Sequence, residues 1–200
     1  MATKTSICNM ALTHISAKNI LSDIETDASI EAKTCRIFYE SALEFVLTQN
    51  DWGFAVARKA LSELSDTAPA DWSYIYSYPN DCIKTRAIYT SSRRTGVEDI
   101  RFEIGLDSTG TIKAILTDEY QAYLRYTKNI TDSNLFPPAF VIALSYYLAN
   151  LIAMPLTKKQ SIKNDMTQAF KEFMSTAQAT DADEDNMFED KPDSEFIRCR

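Results

Sequence analysis

Over the first fifty residues, apolar positions recur every three or four places. Ile7, Met10, Ala11 and Ile15 form one stripe, which predicts a helix over residues 4–17. An acidic, turn-like link follows, with Ser22, Asp23, Glu25, Thr26 and Asp27. Ala28, Ala32, Cys35, Phe38/Tyr39, Ala42, Phe45/Val46 and Gln49 then keep a period of about 3.6 residues. They predict a long second helix over residues 29–49, capped by Asp27 or Ser29, with Glu31 in its first turn. Asn50 and Asp51 break the pattern. Residues 52–58 resume an apolar run that fits a short helix or a strand, and Leu61 and Leu64 continue the packing.

From residue 72 to about residue 128 the period falls to two. Residues 74–78, 83–89, 101–104, 111–116 and 121–127 read as strands, with residues 107–110 as a hairpin loop between the third and fourth. Residues 91–96, which include Arg93 and Arg94, read as an exposed polar loop. Helical spacing returns after Pro137 and Pro138, which suit the start of a helix. Residues 139–154 are apolar nearly all round, as in a buried helix, and Pro155 is expected to end it. Ile162, Met166, Ala169/Phe170 and Phe173/Met174 mark a last helix over residues 158–178. Lys158, Lys159 and Lys163 fall at its N-terminal side, where the helix dipole does not favour cations. The order predicts an α+β fold: a helical bundle from the N- and C-terminal helices with an inserted antiparallel β subdomain. The divisions are residues 1–71 and 129–179 for the bundle, 72–128 for the strands, and 180–200 for a polar tail.

The densest signal lies at residues 72–82. Trp72, Tyr74, Tyr76 and Tyr78 alternate with Ser73, Ile75 and Ser77 before Pro79, Asn80 and Asp81 break the run. In an extended strand the four rings share a parity and so a face. Tyr and Trp bury large area while keeping a polar tip, so two readings stay open: a contact surface for another subunit, or sheet core under the helices. The block holds no nucleophile–base pair and no metal-ligand spacing.

Charge sharpens the picture of the tail. Eight acids against three bases give residues 180–200 a formal −5, so the rest of the chain carries only −2 of the total −7. That balance argues against tight nonspecific binding of nucleic acid, although not against a channel through which it passes. The four cysteines, Cys8, Cys35, Cys82 and Cys199, are widely spaced, and with His14 as the one histidine a zinc site is hard to assemble. Cys8 and Cys35 fall on apolar helix faces and read as reduced packing residues. No secretory signal opens the chain, and the apolar run at residues 139–155 is shorter than the ~20 residues that span a bilayer, so a soluble protein is expected.

Three stretches together resemble the tail tubular protein A family, the head-to-tail adaptors of short-tailed bacteriophages. The first runs from Ile7 through His14, Ile15, Ser16 and Ala17 to Ile20, Leu21 and Ala28. The second runs from Cys35, Arg36, Ile37, Phe38 and Tyr39 to Trp52, Gly53, Phe54, Ala55 and Arg58. The third is the aromatic block with Ile83 and Arg86. The Pro137–Pro138 helix and the last helix fall where the family places them, and the acidic tail lies outside the pattern. Family members often carry Gly where this chain has Ser16.

The resemblance implies a structural virion protein without cofactor, metal or catalytic residues. It implies a homo-oligomeric ring, typically of twelve copies, between the portal protein and the tail nozzle protein. Double-stranded DNA passes through such a ring without specific binding, no membrane is involved, and the ring resides in the virion tail after assembly in the host cytoplasm. The bundle is expected to face the portal and neighbouring subunits, and the strands the nozzle. Alternatives from other classes are a soluble interaction module and an accessory enzyme. Candidate interface residues are Trp72, Tyr74, Tyr76, Tyr78, Arg93, Arg94, Lys158, Lys159, Phe196 and Ile197. For Arg93 and Arg94 the bland reading is a solvated loop tip, and for the lysines a solvated helix face. His14 lacks an identifiable nucleophile partner in the sequence, and adjacent Asp118 and Glu119 face different ways. The acidic tail reads either as a segment that docks on a basic portal surface or as a solvating tail.

Overall fold

The computed structural model describes residues 2–17, 20–90 and 100–184. Helices α1 (Lys4–His14) and α2 (Ile30–Gln49) come first, followed by a 3-10 turn (Gly53–Ala55). Six strands follow: β1 (Val56–Ala60), β2 (Tyr74–Ser77), β3 (Cys82–Tyr89), β4 (Phe102–Leu106), β5 (Lys113–Thr117) and β6 (Tyr123–Lys128). Helices α3 (Pro138–Thr157) and α4 (Gln160–Glu184) close the order. The fold is α+β, with four helices and two small antiparallel sheets.

Local chemistry sets the helix ends. Ser29 Oγ accepts a hydrogen bond from Ala32 N at 3.2 Å and caps α2. Thr3 and Ser6 form a reciprocal capping box on α1. Pro137 and Pro138 hold the N-cap and first position of α3. α1 stops three residues short of expectation, at His14, because the chain turns back in a Schellman motif. Ala17 N donates to Leu12 O and Ser16 N to Thr13 O, both at 2.9 Å, with Ser16 in the left-handed region at φ 57°. Serine thus occupies a conformation that glycine adopts without steric cost.

α3 is the hub of the bundle, and α1, α2 and α4 all pack on it. Phe140, Ala143, Leu144, Leu148, Ala149, Ile152 and Ala153 are wholly buried. Successive tyrosines on α3 point about 100° apart around the helix and serve different neighbours. Tyr146 is sandwiched between His14 of α1 (3.9 Å) and Phe173 of α4 (4.7 Å). Tyr147 stacks on Phe45 of α2 (4.4 Å) and leans on Phe170 of α4 (4.9 Å). Pro155 does not end α3 as expected. It lies in the last turn, where one missing donor costs one hydrogen bond, and the helix continues to Thr157. At 20 residues and mean hydropathy 1.8, α3 is by length and composition long enough to cross a membrane, but half of that window is buried among the other helices.

The strands form two three-stranded sheets, ordered β1-β6-β3 and β2-β5-β4. Tyr76 and Ile115 of one sheet meet Ile88, Leu124 and Tyr126 of the other in a shared core. The outer face of β2-β5-β4 is covered by residues 61–72, through a second cluster of Trp72, Ile75, Ala114 and Leu116 with Leu64 and Ala68. The strand region therefore begins at Val56, not at residue 72: β1 pairs with β6 in register Val56↔Thr127 to Ala60↔Tyr123. The tail boundary also moves. α4 runs on to Glu184, so residues 180–184 of the expected tail are helical. Asp181 uses its carboxylate to accept hydrogen bonds from Gly53 N and Asn50 Nδ2, both at 3.1 Å.

Bundle and sheets are joined at the end of α2. The Asp51 carboxylate bridges Arg125 of β6, in close contact, and Arg86 Nε of β3 at 3.6 Å. Arg86 also donates to Asn50 O and to Thr127 Oγ1, and Lys84 Nζ donates to Thr48 O at 2.9 Å. Both arginines are largely buried, so the carboxylate compensates two desolvated cations.

Two substitutions test these features by urea unfolding. Ser16→Gly relieves the left-handed strain and is expected to raise stability by about 0.5–1 kcal/mol, the gain being trimmed by glycine's greater unfolded-state entropy. Asp51→Ala strands Arg86 and Arg125 and is expected to cost about 2 kcal/mol, below the value for a fully buried pair because Asp51 is partly exposed. An unchanged midpoint for Asp51→Ala removes this junction as a determinant of stability.

Candidate interaction surfaces

The aromatic block divides between two faces. Tyr74 and Tyr76 lie on the inner face of their sheet with Tyr78 beside them, as their shared parity requires. Trp72 does not share that face. The turn closed by Trp72 N donating to Pro69 O places it ahead of β2, and its ring packs with Ile75 on the opposite side. Arg101 sits over the Trp72 ring at 4.2 Å. Trp72 (9% exposed) and Tyr76 (2% exposed) are therefore core residues of a single chain. Tyr76 OH donates to Glu119 O at 2.9 Å. Tyr74 rests on Tyr120 at 5.6 Å, Tyr78 accepts from Cys82 Sγ, and both stay half-buried. Across the shared core, Tyr126 OH donates to Asp81 Oδ1 at 3.0 Å. Burial, reinforced by that carboxylate, pushes its pKa up to about 12.

The lysines occupy a different place from the expected one. α4 starts at Gln160, and Lys158 is the left-handed cap of α3 (φ 55°), its N–H donating to Met154 O at 3.1 Å. Lys158 and Lys159 are exposed, and Lys158 lies at the C-terminal pole of α3, where the dipole favours a cation. Arg93, Arg94, Phe196 and Ile197 lie outside the described residues, as does Cys199.

One pairing was invisible in the sequence. His14 Nε2 lies 3.0 Å from Ser145 Oγ, a serine–histidine contact across 131 residues. Ser145 Oγ also donates to Ile142 O at 2.7 Å, which uses its only proton. The imidazole must then donate through Nε2, the reverse of general-base action on the serine. Ser145 is wholly buried, so the contact is a tie between α1 and α3. Burial also lowers the His14 pKa.

Cys8 and Cys35 are both wholly buried, are free thiols and touch each other across α1 and α2. The neighbouring Cys35 thiol, and then burial, push the Cys8 pKa up, so it packs as a neutral hydrophobe. Among the described residues no group of three or more His, Cys, Asp and Glu could hold a metal. The crevice between Trp52, Phe140, Ala177 and Asp181 holds about 10 Å³, room for no more than a single water.

Large apolar side chains are nonetheless exposed on both bodies. Ile30 (72%) and Ile37 (70%) sit one heptad apart on α2, off its buried stripe. Ile104, Leu106 and Ile112 are exposed toward the β4–β5 turn, where the Asp107 carboxylate accepts from Thr111 N and Ile112 N. The signal for the α2 pair was in the sequence, as apolar residues at positions the stripe leaves to solvent.

The depressed His14 pKa makes a pH prediction. As pH falls, the unfolded chain protonates first, at about 6.5, while the folded chain resists. Stability is thus full above about pH 6.5 and declines below it, by up to ~1.4 kcal/mol per pH unit while the folded imidazole stays neutral. Urea unfolding of wild type and His14→Gln between pH 7.5 and 5 is expected to show a flatter pH slope in the variant; equal slopes remove His14 as the cause. A scan of the chain against protein-family models finds no match, and no curated protein matches it.

Proposed function

We propose that this chain is a noncatalytic head-to-tail adaptor, a virion protein that forms a ring of like subunits between a portal and a tail nozzle. The observation that carries the reading is the ordered set of three sequence stretches, of which residues 72–82 are the most distinctive. The α+β architecture supports it: first and last helices make one bundle, and the strands between them form a separate sandwich fixed to the bundle's end. Such a body offers two ends for two different partners.

Exposed apolar residues on each body give further support. Ile30 and Ile37 mark the bundle, and Ile104, Leu106 and Ile112 mark the sandwich. Burial of such side chains between subunits drives ring assembly, and a ring protomer has two neighbours to cover it. The mechanism is sequential addition to a preformed portal ring. The bundle faces the portal and the neighbours, the sandwich faces the nozzle, and net negative charge keeps the conduit from gripping DNA.

Mixing the purified chain with an isolated portal ring tests this by size exclusion with light scattering. A discrete increment of bound copies is expected, with or without prior oligomerisation of the chain alone. A chain that stays monomeric beside an intact portal ring would rule the adaptor role out.

A further inference from the structure

Where α1 ends, α2 begins and α3 ends, the surface opens into a groove of about 500 Å³. Its apolar lining is Ile15, Ala17, Ile30, Pro155 and Leu156, with Met154 exposed on the turn before. Lys158 and Lys159 follow directly on the wall formed by α3, and Lys33 lies one turn along α2 from Ile30. Glu31, the one acid of the lining, is already engaged within the chain. The groove thus mixes these apolar side chains with Ser16 and Thr157, and exposed lysines lie next to its lining residues along the chain. It fits a peptide that carries bulky apolar residues among carboxylates.

This chain contains such a peptide. Residues 185–200 hold Asp185, Glu189, Asp190, Asp193 and Glu195, against Lys191, Arg198 and Arg200, around two apolar pairs, Met187–Phe188 and Phe196–Ile197, and so keep a net negative charge. We propose that the groove receives this C-terminal segment from a second copy, with Phe196 and Ile197 on the apolar floor and the carboxylates beside Lys158 and Lys159. Reach favours a neighbour over the segment's own groove. α4 leaves the groove at Gln160 and, over 25 residues, carries its end about 37 Å away. There Asp181 is fastened to Gly53 and Asn50, at the far end of α2 from Ile30. From Glu184 to Phe196 a fully extended chain spans only about 41 Å, with nothing spare to pass over the bundle's side chains. Groove and segment are different patches, so the contact is heterologous, the kind that closes into a ring when the rotation permits. This rests on the ring-forming reading proposed above and identifies the contact that links one subunit to the next.

The test uses a fluorescein-labelled peptide of residues 185–200 and, as host, the full chain carrying Phe196→Glu and Ile197→Glu, whose own segment lacks the apolar pair. Saturable binding by anisotropy is expected. It should weaken roughly tenfold or more with Ile30→Glu, and again with Lys158→Glu plus Lys159→Glu, and fall with added salt. All three sites are exposed, and host variants with unchanged thermal melts report on binding alone. No saturation at about 1 mM peptide, or binding indifferent to the groove variants, overturns the proposal. If the wild-type chain excludes the peptide while sedimenting as a monomer at every concentration, the segment closes on its own groove and the assignment to a second copy falls. Portal-ring binding of the same chains separates the two readings. Wild type that binds portal while the peptide finds no groove sinks this inference alone, whereas peptide binding without portal binding sinks the adaptor.

Discussion

Everything in the bundle depends on the burial of α3. Its apolar residues face three neighbours at once, and α1 and α2 touch each other far less than they touch it. Polar groups on α3 survive burial because each has a partner. Ser145 is tied to Ile142 O and His14, and Asn150 donates to Lys163 O and Thr167 Oγ1. Tyr146 and Tyr147 extend the same logic with rings, each clasped between two helices. Residues that look like interruptions of an apolar run are the fasteners that orient α1, α2 and α4 around it.

The second body is held by a polar joint. Asp51, placed where α2 ends, meets an arginine from each of two paired strands, β3 and β6, while Trp52 tucks into the bundle and donates from Nε1 to Val46 O. One residue looks toward the sheets and the next toward the helices. Asp181 adds a third element by clasping the same turn from α4. The direction of the sandwich relative to the bundle is set by these few groups.

Much of this order was legible in residue patterns. Ser29 and the paired prolines marked helix starts, and the alternation at residues 83–89 and 111–116 marked strands. The exceptions have local causes. β1 was ambiguous because Val56–Ala60 is short and exposes Arg58, Lys59 and Ala60, so its pairing with β6 depends on a partner far along the chain. Trp72 broke parity because a turn, not a strand, precedes Tyr74. Pro155 predicts a stop, but the last turn of a helix tolerates it. The acids at 181–184 read as the start of a polar tail, either docking or solvating, whereas Asp181 accepts hydrogen bonds from backbone and side-chain amides of a distant turn. The apolar floor of the groove joins residues from three helices, and no local window could display it.

The central place of α3 also shapes how the protein is made. A ribosome releases α1 and α2 first, with Ile7, Leu12, Leu43 and Leu47 facing a partner that is not yet synthesised. Sheet β1-β6-β3 then closes only when β6 emerges, and the bundle only after Thr157. Through two thirds of translation the nascent chain therefore carries an uncovered apolar stripe, the condition under which intermediates aggregate or need chaperone protection. Once α3 docks, the N-terminal helices are secured and the surface that receives α4 is complete, so folding of the bundle waits on that one helix.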